Sequence, residues 1–377
     1  MTGPQESQKW VIVTHAFLPN GPAHRLLDSL RSRGLQVGFC ALPMPGVDRM
    51  RAERCMPGDT TTELLIDRKQ LVPKWRELLI VIELYKFARR LRSADSDRFI
   101  LVGCDPVSYL VAYYVFRMRG LHVLADAVWF VDWSAHRLKN RWTGTAYRAV
   151  SRLAARRARV VCAISAPASL AVAELTGRFK NEEILVLPNL PLVPSDEMPR
   201  WESRPLGVVY LGRLSDEHGA ELLLRITPDL IKAGYELDVA GDGPAADAFA
   251  SAAKRISGFR YHGLVTNPQD LIRLLLTARI GLALYDPMFP MFGYNDPLKV
   301  KDYLSAGLRV VATINRDIYD DVVLKSAYTA EGLIKTILAA GGSGPTTDPR
   351  KHWLLNDADL PLRNLIERLE ETARKQC

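Results

Sequence analysis

Short continuous apolar runs alternate along this chain with stretches whose apolar positions recur every three or four residues. Trp10–Thr14 is the first such run, and it breaks at His15–Ala–Phe–Leu–Pro–Asn–Gly–Pro22. The spacing then predicts a helix over Ala23–Gly34 and a second strand over Gln36–Leu42. A β-turn-α-β opening of this kind starts a doubly wound parallel sheet. Met44–Asp67 is rich in Pro, Gly and charge and reads as a surface excursion. A helix over Pro73–Ser93, a strand over Phe99–Cys104, a helix from Asp105–Pro106 through Met118 and a strand from His122 continue the alternation. An arginine-striped helix, the strand Val160–Ser165, a helix to Leu175 and the strand Ile184–Leu187 complete it.

The alternation lapses over 188–205, where five prolines fall in 18 residues, as in an interdomain linker. It resumes with strands at Gly207–Leu211, Glu236–Ala240, Phe259–Gly263 and Ile280–Leu284, and with helices at Gly219–Ala233 and Pro268–Ala278. Continuous rather than alternating apolar strands are those of sheets covered on both faces. Gly293–Thr313 then reads as a polar loop ending at Pro297, a helix with Leu298, Val300, Tyr303 and Leu304 at helical spacing, a stop at Gly307 and a buried strand at Val310–Ala312. The helix start carries Lys299, so dipole and side chain together favour a phosphate there. Asp302 lies one turn deeper on the same face, where a carboxylate can accept from a ribose diol. Ala340–Pro349 reads as a loop and Leu360–Lys375 as a last amphipathic helix.

At 377 residues the chain suits two domains, and its 48% hydrophobic and 24% charged residues are ordinary for a globular protein. No apolar run approaches the roughly 18 to 20 residues that span a bilayer, and the polar Met1–Lys9 reads as no signal peptide. Cys40, Cys55, Cys104, Cys162 and Cys377 are scattered without a CxxC pair, which fits a reducing cytoplasm and argues against metal or disulfide roles. The net charge of +8 is uneven: Arg68–Arg159 holds 19 Lys and Arg against 7 Asp and Glu, so that stretch carries +12 and the remainder −4. Arg148, Arg152 and Arg156 stand four apart on one helix. That stripe reads either as a solvated face or as a surface for anionic headgroups or a phosphate-bearing acceptor. No recognisable nucleic-acid module accompanies it.

Val208–Val–Tyr–Leu–Gly–Arg–Leu214, Val239–Ala–Gly–Asp–Gly–Pro244, Tyr261–His–Gly–Leu–Val265 and the Asn–Asp–Pro–Leu–Lys helix start fall in the order seen in GT-B glycosyltransferases of the group-1, family 4-like type, which they resemble. The resemblance implies an α/β fold of two doubly wound, Rossmann-like domains facing across a cleft. The domains would run over 1–187 and 206–350, joined by 188–205, with 351–377 crossing back to the first. It implies a hexosyltransferase that takes a UDP- or GDP-sugar, holds no cofactor and needs no metal. Gly212 would let the backbone approach the diphosphate and Arg213 would neutralise it. His218 stands where the family usually has lysine, and the backbone near Leu264 would cradle the base. Asp302 takes the place of the second of the family's two motif glutamates and Tyr294 that of the first, which leaves Asn295 and Asp296 as sugar contacts beside Lys299. Val131–Asp–Trp–Ser134 is similar to a segment of some GT-B enzymes of polysaccharide synthesis. Asp132, then His136, then His15 are therefore the candidates for a catalytic base. Donor and acceptor, with an anionic membrane surface against the basic half, are the expected partners at the cytoplasmic membrane face. A nucleotide-sugar epimerase and a non-catalytic sugar-nucleotide-binding subunit are the alternatives.

Overall fold

The computed structural model describes residues 9–17, 20–43, 62–64, 84–89, 98–131, 141–177, 184–192, 199–289, 292, 296–313, 323–342 and 360–376. They fall into two compact units, one of residues 1–189, 294–296 and 359–377, the other of 190–293 and 297–358.

The first unit is built on a parallel sheet of seven strands in the order β3-β2-β1-β4-β5-β6-β7. These are β1 Lys9–Phe17, β2 Val37–Pro43, β3 Thr62–Leu64, β4 Arg98–Gly103, β5 His122–Phe130, β6 Val160–Ala163 and β7 Ile184–Val186. The central strands are buried along nearly their whole length, from Trp10–Val13 through Phe99–Val102 and Ala127–Phe130 to Val160–Ala163, because helices cover both faces. Those helices are α1 Pro22–Arg31, α2 Pro106–Met118, α3 Arg141–Arg157 and α4 Ala166–Thr176. Two of them start on sequence-readable caps: Asp105 accepts from the Ser108 N–H and Ser165 from the Ala168 N–H, with proline at the first helical position in one (Pro106) and at the second in the other (Pro167). The edge strand Thr62–Leu64, paired with β2, lies inside the stretch read as a surface excursion. Only residues 84–89 of the helix expected over 73–93 are described, and they are helical.

The second unit has the parallel order β10-β9-β8-β11-β12-β13. Its strands are β8 Gly207–Leu211, β9 Glu236–Ala240, β10 Phe259–Tyr261, β11 Ile280–Ala283, β12 Arg309–Ala312 and β13 Val323–Lys325. Its helices are α5 Ala220–Lys232, α6 Ala246–Ala253, α7 Pro268–Leu276, α8 Leu298–Ser305 and α9 Ala330–Gly341. Strand β13 and helix α9 fall where the apolar pattern prompted no assignment. Helix α9 is capped by the Thr329 hydroxyl, which accepts from the Gly332 N–H, and it buries Leu333, Ile337 and Ala340 at helical spacing. Part of the proline-rich 188–205 stretch is docked rather than free. Arg204 is buried and its guanidinium donates to the carbonyls of Ala278 and Ala306.

Helix α10, Leu360–Arg374, belongs to the first unit, where it packs on β5 and β7 and buries Leu362, Leu365, Leu369 and Ala373.

Both sheets reverse strand direction of growth beside their first strand, between β1 and β4 and between β8 and β11. Open α/β sheets bind ligands at that point, outside the carboxyl ends of the strands.

Candidate functional site

In the second unit, β8 and β11 pair only through Val208 and Val209, and then they diverge. Tyr303 of α8 fills the gap. Its hydroxyl accepts from the Leu211 N–H at 2.8 Å and donates to the Leu282 carbonyl at 3.1 Å, satisfying two backbone groups that the splayed strands leave without a ladder partner. Gly281 makes room for the ring, since a Cβ there would lie 2.3 Å from Tyr303 Cγ. The wedge fixes α8 against the sheet and so fixes Lys299, one turn earlier.

Lys299 is 9% exposed, and its Nζ makes no hydrogen bond among the described residues. Instead the ammonium sits 4.2 Å from the ring centroid of Tyr210 and 5.0 Å from that of Tyr285. Negative ring faces attract a cation, but they do not replace a counter-ion. Burial pulls the Lys299 pKa down to about 7, because a charge taken from water without a partner is costly. Helix α8 starts at Pro297 as its N-cap, one residue earlier than the first-turn position expected for that proline, and without a side-chain cap.

Gly212 and Arg213 follow β8 directly. A Cβ on Gly212 would lie 3.1 Å from both Cε and Nζ of Lys299, so the lysine rests against this backbone. Arg213 is exposed, and its guanidinium has no partner among the described residues. The Gly212 N–H donates to the Ala240 carbonyl, and Gly241 crosses so close that a Cβ there would sit 1.7 Å from Gly212 O. The Gly241 N–H in turn donates to the Gly263 carbonyl at 2.8 Å, which sets the half-buried Leu264 just beyond β10. Leu264, Gly212, Arg213 and Lys299 thus line one continuous backbone ridge across the carboxyl ends of β10, β9 and β8. His218 closes the turn after Arg213. Its Nδ1 is 3.0 Å from Ser215 Oγ, and its ring lies against Phe292 and Tyr285 at centroid distances of 5.3 and 5.8 Å.

The carboxylates lie elsewhere. Asp302 is buried, and its Oδ1 accepts from the Leu192 N–H at 2.9 Å, so the group expected to hold a ribose is engaged in docking the 190–192 segment. Asp296 is 2% exposed; its Oδ2 accepts from the Asn189 N–H and its carbonyl from Asn189 Nδ2. Tyr294, Asn295, Asp132 and His136 lie outside the described residues, and for His15 only the backbone, in β1, is described. Among the described residues no group of three or more His, Cys, Asp or Glu is placed to hold a metal. Tyr210, Tyr285 and Tyr303 were not singled out from the sequence. One signal was available: a tyrosine in a buried strand, such as Tyr210, must place its hydroxyl on a partner.

Residues 205–339 match the sequence profile of glycosyl transferases group 1. That stretch, about a third of the chain, is similar to group 1 glycosyl transferases, and the fold of the chain is GT-B. No curated protein sequence matches the chain. Among solved structures, a UDP-forming α,α-trehalose-phosphate synthase from Burkholderia xenovorans, in complex with glucose-6-phosphate, matches with a TM-score of 0.64 at 11% identity, over 96% of this chain and 100% of that one. The pneumococcal O-GlcNAc transferase GtfA, in complex with UDP and GlcNAc, gives 0.60 at 8% identity, over 98% and 99%. The S. aureus TarM G117R mutant gives 0.54 at 13% identity over 78% of this chain, which spans 58% of the length of that protein. At such identities the likeness is one of fold.

Proposed function

We propose that this chain is a glycosyltransferase that takes a hexose from a nucleoside-diphosphate sugar and passes it to an acceptor hydroxyl. The observation that carries the reading is the pair of cations, Lys299 and Arg213, for which the described residues supply no counter-ion at the switch point of the second unit. A diphosphate supplies the missing negative charge. Its leaving-group charge, which grows as the glycosidic bond breaks, is what preorganised cations stabilise most. The glycine-lined backbone beside them lets phosphate oxygens approach the main chain. In this reading the protein's own cations neutralise the diphosphate and no metal is needed for that purpose. Uridine is the favoured base, because the fold-level relatives named above are complexed with UDP or form it. Asp132, His136 and His15 are the candidate bases.

The acceptor in this reading is a growing polysaccharide or a glycolipid at the cytoplasmic membrane face. Support comes from α3, where Arg148, Arg152, Arg156 and Arg157 are exposed. No helix of the described residues is long and apolar enough to cross a membrane, so an encounter with lipid would be made from the surface.

Thermal unfolding against a panel of nucleoside diphosphates tests the donor site. A ligand at about a hundred times its dissociation constant adds roughly 2.7 kcal/mol to the folded state. UDP or GDP should raise the midpoint in the wild type and much less in Lys299→Ala. A flat panel in the wild type would overturn the reading, and conversion of a UDP-sugar with no acceptor present would replace transfer by epimerisation.

A further inference from the structure

Tyr210 is the fourth residue of β8, is fully buried, and meets the phosphate-facing groups at both of its ends. Its ring lies under the Lys299 ammonium at 4.2 Å. Its hydroxyl sits 2.9 Å from the Arg213 carbonyl and 3.0 Å from the His218 carbonyl, at the start and finish of the turn that presents Arg213. Arg213 and Lys299 come from different elements and stand 86 positions apart in the sequence, yet one rigid side chain meets the Arg213 backbone and the Lys299 ammonium. A tyrosine turns only about two side-chain torsions, so it holds such a spacing at little entropic cost. Buried polar groups are hydrogen-bonded as a rule, but the hydroxyl could have met that need on one neighbouring carbonyl. Its place between two carbonyls of the same turn bends that turn around it.

We propose that Tyr210 is a positioning residue for the diphosphate: the ring seats the lysine ammonium while the hydroxyl holds the 213–218 turn, and together they set the separation of the two cations. This inference rests on the donor-site reading above. It adds that the separation, and not the presence of two charges alone, determines how well a diphosphate is bound.

Binding of UDP is measured by titration calorimetry on the full chain for wild type, Tyr210→Phe, Arg213→Ala and the double variant, across a pH series. If the wild type does not bind UDP or GDP, the donor-site reading fails and this inference with it. If the wild type binds, Tyr210→Phe should bind about five- to tenfold more weakly, the worth of one hydrogen bond. The pH midpoint of binding should stay unchanged, because the ring remains against the lysine. In the Arg213→Ala background the same change should cost almost nothing, since the turn no longer has a cation to place; a merely structural hydroxyl would give additive losses. Additive losses, wild-type affinity in Tyr210→Phe, a displaced pH midpoint in that variant, or its failure to fold would each overturn the assignment.

Discussion

The two units wind their strands in the same order about their first strand, and each makes its first βα turn at that strand's carboxyl end. They differ in what the turn does with its charges. In the first unit the described end of the turn after β1, from Asn20, is tied to the start of α1. Asn20 adopts a left-handed φ of 58°, its N–H donates to His24 Nδ1 at 3.0 Å, and Arg25 Nε donates to the Asn20 carbonyl at 2.6 Å. His24 and Arg25 are both buried. The Arg25 guanidinium is engaged on the backbone that carries it and also lies near the Asp28 carboxylate. In the second unit the turn after β8 presents an Arg213 whose guanidinium has no partner among the described residues, and it meets a Lys299 whose ammonium lies against the rings of Tyr210 and Tyr285. One topology therefore carries a first-unit arginine engaged on its own backbone and a second-unit arginine exposed to solvent. Strand order says where a ligand can sit, and the hydrogen-bond accounting of the turn says which of two equivalent places is open to one.

The largest effect expected from this contrast is on Lys299. With its pKa pulled to about 7 by burial, the lysine of the free protein loses its proton as the pH rises above 7. A diphosphate needs the ammonium, and its phosphates are fully ionised by then, as their last pKa is about 6. UDP affinity should therefore fall by up to about tenfold per pH unit above 7, until the pKa in the complex is reached. Stability runs the other way. The unfolded lysine stays protonated up to about 10.4, so between about 7 and that value the unfolded state binds more protons and the ligand-free fold gains stability with rising pH. Lys299→Met should abolish both slopes and should raise the melting temperature of the ligand-free protein at pH 7 and below, where an unpartnered ammonium is otherwise buried. A wild-type affinity that is flat from pH 7 to 9 would place the lysine outside the anion's reach.

A smaller effect separates the scaffold of the open turn from its chemistry. Tyr303→Phe deletes the hydroxyl that bridges Leu211 and Leu282. It leaves a buried N–H and a buried C=O unpaired, at a cost of about 1–3 kcal/mol. In a unit of this size each kcal/mol lowers the melting temperature by about 2–4 °C. Calorimetric unfolding should show that loss, with UDP affinity reduced only as far as Lys299 is displaced. An unchanged melting temperature would mean that water satisfies the two groups and that the wedge is not what holds α8.

Much of this was legible from residue order. The strands at Gly207–Leu211 and Glu236–Ala240 coincide with the expected bounds, because a buried parallel strand is a continuous apolar run and Gly or charge ends it sharply. Gly212, Arg213 and Lys299 could be picked out from residue order as candidates for a phosphate, since charge and chain flexibility are written in the residue types. The roles of Asp296 and Asp302 were not, because whether a carboxylate faces a ligand or an amide 107 or 110 residues away is decided by packing that no local pattern encodes. The rings of Tyr210 and Tyr285 were missed for a related reason. A tyrosine in an apolar strand satisfies the pattern as a core residue, and only the approach of Lys299 from another element gives its face a use. Strand β13 is three residues long, too short for a period to show.

The smallest effect expected is the most direct check on the contrast between the turns. Arg25→Gln removes the guanidinium that closes the first unit's turn and leaves the Asn20 carbonyl without its Arg25 donor. Because that guanidinium holds the Asn20 carbonyl and lies near the Asp28 carboxylate, its loss should be felt in stability, at about 1–3 kcal/mol for a buried hydrogen bond to a charged group. UDP affinity should stay within about twofold of wild type, since sites with no shared partners behave independently. Titration of UDP into Arg25→Gln, with unfolding measured alongside, reads both quantities on one preparation. If the melting temperature falls while UDP binding is retained, the closed turn is scaffold and the donor belongs to the second unit alone. If UDP binding falls with it, by as much as in Lys299→Ala, the first unit's turn also addresses the nucleotide, and an unpaired charge in the free protein is not the feature that distinguishes the two.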